Sequence, residues 1–122
     1  MKIIYDAKRA FHNGSGLGNY SRDLVRVLSE FYPNNEYFLY NPKPKKVTRL
    51  SLTSNMKEVL PDKSIWKKLS SLWRKGPILK QLKQDEIEIF HGLSGEIPRG
   101  IAKTNVKTLV TIHDLIFVRY PE

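Results

Sequence analysis

Residues 2–41, KIIYDAKRAFHNGSGLGNYSRDLVRVLSEFYPNNEYFLYN, set out a short apolar run, a glycine-rich break, a helix-spaced segment and a second apolar run. A strand followed by a helix and another strand must cross over and pair parallel, because a tight hairpin has no room for the helix. This order therefore predicts an α/β chain whose parallel sheet carries helices on its faces. KIIYDA reads as a buried strand that ends at Asp6 and delivers its carboxyl end to a loop. Tyr20, Leu24, Val27, Leu28 and Phe31 fall at helical spacing, with Arg22, Asp23, Arg26 and Glu30 on the other face. Asn19 or Ser21 can cap that helix, and Pro33, Asn34 and Asn35 stop it. EYFLYN, aromatic-rich and followed by Pro42, is the second strand.

Beyond it, NPKPKKVTRL reads as an exposed loop leading to a weak strand over 47–52. Ser64 caps a helix whose stripe is Ile65, Leu69, Leu72 and Trp73, and Gly76-Pro77 ends it and begins a second short helix through Leu82. IEIFHG (87–92) and VKTLVTIHDL (106–115) are two further strands. Three strands thus end in polar or glycine-bearing positions: Asp6, His91-Gly92 and His113-Asp114. In an open parallel sheet the carboxyl ends of the strands line the ligand crevice, which puts these residues on one edge.

Composition narrows the classes. The 122 residues suffice for one domain or a piece of one. With no cysteine there is no disulfide framework, thiolate metal site or cysteine nucleophile, and the histidine spacing suggests no metal cage. The apolar run before Asp6 is too short for a signal peptide and nothing approaches a membrane span, so a soluble, cytoplasmic or peripheral chain is expected. The net charge of +9 is local, since residues 43–83 carry twelve Lys and Arg against two Asp and Glu. There, Trp66, Lys67, Lys68, Trp73, Arg74 and Lys75 form either a face that docks on an anionic membrane or the solvated side of a core helix. A nucleic-acid-binding module is the rival reading of the charge. It lacks a recognisable reading motif, and the aromatic residues fall mostly on predicted core faces, so no nucleic-acid partner is expected.

A glycine-rich loop feeding a helix start lets backbone N–H groups approach an anion while the helix dipole favours negative charge there. GSGLGN, with Gly16, Leu17, Gly18 and Asn19 at its end, lacks the third glycine of the dinucleotide fingerprint and is followed by no G-K-[ST], so a phosphate site and a flexible turn both remain open. His113 and His91 at strand ends are either cleft-facing groups or hydrogen-bonded structural residues. Asp6 reads more readily as a loop-fixing carboxylate, and His12 as loop.

Together, DAKRAFHNGSGLGNYSRDLVRVL, IFHGLSGEIP and VTIHDLIFVRYPE resemble, in order and spacing from residue 1 to 122, family 4 glycosyltransferases of the mannosyltransferase type. The resemblance implies a Rossmann-like, acceptor-side amino-terminal domain of a GT-B enzyme, with a second, nucleotide-gripping domain missing from this chain. It implies a retaining transfer of a sugar from a nucleotide-diphosphate donor to a glycan or lipid-linked acceptor, as in surface polysaccharide synthesis, with no cofactor besides the donor. Gly16, Leu17 and Gly18 would approach the donor diphosphate, His113 would face the donor sugar, Asp114 would shape the acceptor side, and His91 and Asp6 would face the cleft. Asn19 stands where that pattern has arginine. The chain is expected to be a fragment, inert by itself, and a stand-alone phosphate-binding domain is the alternative.

Overall fold

The computed structural model describes residues 1–14, 16–41, 50–60, 78–93 and 95–113. Five strands form one parallel sheet: β1 (Lys2–Asp6), β2 (Glu36–Tyr40), β3 (Met56–Val59), β4 (Ile89–Gly92) and β5 (Lys107–Val110), in the order β3-β2-β1-β4-β5. Among the described residues the helices are α1 (Lys8–His12), α2 (Gly16–Phe31) and α3 (Ile78–Gln84), with a 3₁₀ turn at Ile101–Lys103. From β1 the chain steps outward to β2 and β3, then returns to place β4 on the other side of β1. That reversal between β1 and β4 is where an open α/β sheet parts its loops and leaves a crevice.

Alternation along the strands divides the core into two layers. Ile4, Phe38, Tyr40, Val59 and Phe90 pack with Ile78 and Leu82 of α3, Ile87 and Ile101. Tyr5, Tyr37, Leu39 and Met56 turn the opposite way and pack with Ala10 and Phe11 of α1 and Val25 of α2. The register Ile4↔Phe90 and Tyr5↔His91 assigns His91 to this second face.

The structure departs from the expected elements in four places. Residues 8–12 are a helical turn rather than loop, because burial of Ala10 and Phe11 and acceptance of the Lys8 N–H by Asp6 Oδ1 (3.4 Å) close it against the sheet. The strand beside β2 is Met56–Val59, and Leu50–Leu52 carry no strand; Met56 and Val59 insert into opposite core layers, whereas Leu50 only packs on the edge of one of them. The α2 helix begins at Gly16, so Asn19 and Ser21 lie inside it and neither caps it; Ser21 Oγ donates to Leu17 O instead (3.0 Å). The inward face of α2 is Gly18, Ser21, Arg22, Val25 and Ser29, while Tyr20, Val27 and Phe31 of the expected stripe are exposed and Leu24 and Leu28 only flank the core. That face is turned inward by the close packing of α2 on α1, where Arg22 bonds to Ala10 O and Asn13 O and Gly18 lies against the Asn13 carbonyl. The proposed strand over 47–49 and the helix from Ser64 lie outside the described residues.

Candidate functional site

The site grows from the carboxyl ends of β1, β4 and β5. Thr111 follows β5 and its N–H continues the ladder to Gly92 O (2.9 Å), which holds its side chain beside His91. His91 Nε2 and Thr111 Oγ1 are 2.7 Å apart, and Tyr20 OH lies 3.4 Å from the same hydroxyl oxygen. Tyr20 also meets the His113 ring edge-on, with centroids 4.9 Å apart. His113 Nε2–H donates to Leu93 O at 2.7 Å, leaving Nδ1 as the ring atom for a ligand. The early turns of α2 therefore touch His113 directly and reach His91 through Thr111, both from the far half of the chain.

Burial lowers the His91 pKa, so the ring is neutral at physiological pH and pairs with Thr111 as a neutral imidazole. Its other flank is aromatic: Tyr5 lies 5.3 Å away centroid to centroid, stacked in turn on Tyr37 at 6.3 Å. Burial, with Tyr37 and Tyr20 nearby, pushes the Tyr5 phenol above its ordinary value, which keeps it protonated. His91 is thus a sequestered group at the floor of the site, whereas His113 is exposed at its rim. An exposed imidazole held by one nitrogen can donate to or accept from a bound ligand through the other.

At the start of α2 the two glycines differ. A Cβ on Gly16 would meet nothing within 4 Å, whereas one on Gly18 would overlap the Asn13 carbonyl oxygen and come within 3.0 Å of Arg22 Nη1. What approaches the Gly18 backbone closely is thus the chain's own Asn13 and Arg22, so this glycine has a structural duty, and Gly16 is the open one. Leu17 is half-buried. Asn19 is exposed, but its Oδ1 accepts from Arg22 Nη2 at 2.6 Å, so a second guanidinium at position 19 would face Arg22. Gly92 is also obligatory, since a Cβ there would overlap the Glu96 carbonyl oxygen.

Asp6 is buried and faces away from the His91 side by strand alternation; its Oδ1 accepts the Lys8 N–H, the loop-fixing role read from the sequence. His12, read as loop, is tied to the sheet: its Nε2 is 2.7 Å from Asn41 Oδ1, and Asn41 Nδ2 donates to Glu58 Oε1 at 2.9 Å. Asp114 and the basic set Trp66, Lys67, Lys68, Trp73, Arg74 and Lys75 lie outside the described residues. Among the described residues no cluster of His, Asp and Glu could hold a metal, and no helix is long and apolar enough to cross a membrane.

Sequence reasoning missed Tyr20, Thr111 and Arg22 as parts of this region. Arg22 was legible in principle: a glycine four residues before an arginine on one helix face is a slot for a long side chain. Thr111 carried no such signal, since its role depends on which strand lies next to β4. Comparison with protein-family models, curated proteins and solved structures finds no match for the chain.

Proposed function

We propose that the chain is the acceptor-side, amino-terminal part of a retaining, GT-B-type glycosyltransferase that moves a sugar from a nucleotide-diphosphate donor to a glycan or lipid-linked acceptor. The observation that supports this reading most is the convergence of three separated motifs. Tyr20, next to Gly16–Asn19, lies 3.4 Å from Thr111 Oγ1, which is bonded to His91, and packs on His113. The parallel sheet with the β1/β4 reversal beneath these residues is the frame in which such ligands are held. In this reading backbone N–H groups at Gly16–Gly18 meet the charge that develops on the leaving diphosphate, and His113 faces the donor sugar through Nδ1. A second, nucleotide-gripping domain completes the site, so the 122 residues alone bind weakly and do not turn over.

The test is nucleoside-diphosphate release by the protein isolated from its native source, offered a panel of nucleotide-diphosphate sugars with and without glycan acceptors. Acceptor-dependent release that His113→Ala reduces by about 10²-fold or more, the scale of losing one preorganised polar contact to the transition state, is expected. Sugar transfer by the isolated 122-residue chain would contradict the division of labour. Lack of donor turnover across the panel would leave the stand-alone phosphate-binding reading.

A further inference from the structure

We propose that Thr111 relays protonation of His91 to Tyr20, so that the Tyr20 hydroxyl turns its proton away from the sheet when the imidazole is charged. Side chains from β4, from the end of β5 and from α2 meet in one chain of polar atoms: His91 Nε2 and Tyr20 OH lie 2.7 and 3.4 Å from the same Thr111 Oγ1. A threonine hydroxyl has one proton to give and lone pairs with which to accept, so its two contacts are not independent.

When Nδ1 carries the proton of a neutral ring, Nε2 accepts. Thr111 Oγ1–H then donates to it, and Tyr20 O–H donates to Thr111 Oγ1. In the charged ring both nitrogens carry protons, Nε2–H donates to Thr111 Oγ1, and the threonine proton goes to the Tyr20 oxygen. Tyr20, 37% exposed, now accepts on its inner side and offers its own proton outward. The heavy atoms keep their places while each bond reverses, which makes the direction of the chain the two-state element that His91 biases.

The groups around His91 leave that choice to the ring itself. Tyr5 of β1 lies 5.3 Å away centroid to centroid, with Tyr37 of β2 stacked behind it, near enough for an aromatic face to favour a cation. His113 reaches the chain only through Tyr20. From α1, Lys8 and Arg9 are exposed and His12 is bonded to Asn41. Arg22 of α2 is bonded to Ala10 O, Asn13 O and Asn19 Oδ1, and Lys107 of β5 sits opposite Ile89, toward the other end of the strand. Burial lowers the His91 pKa, so the reversal falls on the acid side of the ordinary histidine range. An oxygen acceptor on a bound ligand would gain a donor from Tyr20 there and lose it at higher pH. That a ligand meets Tyr20 rests on reading this edge as the site; the relay does not.

The experiment is an NMR pH titration of the 122-residue chain carrying His113→Asn, so that the neighbouring ring adds no step of its own. The His91 ring nitrogens and Tyr20 Cζ are followed together. Tyr20 Cζ is expected to shift with the His91 midpoint in this parent and in Thr111→Ser, which keeps the hydroxyl. Thr111→Val should leave the His91 titration in place and remove most of the Tyr20 step. Unchanged signals from Ile4, Phe38 and Phe90 report that each variant is folded; should Thr111→Val fail that check, Thr111→Ala decides. A Tyr20 signal that does not follow His91, or a step of full size without the hydroxyl at position 111, overturns the relay and leaves the transferase reading standing. That reading fails instead in the donor-turnover test.

Discussion

Beneath α3 the sheet is covered by Ile4, Phe38, Tyr40, Val59 and Phe90 against Ile78, Leu82, Ile87 and Ile101, an apolar set with the buried Asp6 at its edge. Beneath α1 and α2 the same sheet meets Tyr5, Tyr37 and His91, and the helix above turns Ser21, Arg22 and Ser29 inward. The first face is held by packing, which is strong and tolerant of direction. The second is held by packing plus directed hydrogen bonds: Arg22 to three acceptors, His91 to Thr111, and Tyr37 OH to Leu28 O or Tyr32 O at 2.9 and 3.0 Å. Among the described residues, every candidate ligand-facing residue but Asp6 belongs to the second face or its rim. A layer that must present polar groups in fixed positions needs bonds that specify angle in addition to the apolar packing that both layers share.

The largest effect that would break this contrast is on the packed face. Phe90 is 2% exposed in the middle of the apolar layer, and Phe90→Ala should cost about 3–5 kcal/mol, read as a lowered urea midpoint with little change in slope. A much smaller loss would mean that the α3 layer is loosely packed and the division of labour is wrong. Next comes the glycine pair. Gly18→Ala forces a Cβ onto the Asn13 carbonyl and should cost roughly 1–3 kcal/mol, whereas Gly16→Ala enters open space and should be neutral or stabilise by up to about 1 kcal/mol. Equal effects at the two positions in the same denaturation series would remove the distinction between a structural and an open glycine.

The smallest effect sharpens the contrast through pH. Burial holds the His91 pKa below its unfolded value, so below that value the unfolded chain binds the proton more readily. Stability should therefore be full above the unfolded histidine pKa and decline as pH falls through the interval between the unfolded and folded values. His91→Gln, which can still bond Thr111, should flatten that decline. An unaltered pH profile in the variant would show that His91 is not the group responsible.

Much of this frame was legible before the structure. Apolar runs of strand length ending at Asp6 and His91, with a helix between the first two strands, lead to a parallel sheet and to its carboxyl edge, where β1 and β4 do end. The rest was hidden for identifiable reasons. In α2 the apolar residues spread over so wide an arc that periodicity could not choose the buried face. Packing of α2 on α1 chose Gly18, Ser21, Arg22, Val25 and Ser29 instead, with Arg22 bonded to Ala10 O and Asn13 O. Strand β3 escaped because MKEV is mostly polar, and only its neighbour β2 made it a strand through the register Tyr37↔Met56 to Tyr40↔Val59.

Local rules determine what neighbouring residues must do: hydrophobic alternation makes strands, helical spacing makes a helix, and a glycine cluster breaks one into the other. The amino-acid sequence by itself therefore settled the α/β class, the parallel pairing and the edge where polar residues gather. Tertiary structure alone decided that Tyr20 meets Thr111 and His113, 91 and 93 positions away, and that Arg22 reaches back to Ala10 and Asn13. Such contacts depend on strand order and helix rotation, which follow from how whole layers minimise exposed apolar area and unsatisfied polar groups. No short window of sequence carries that sum.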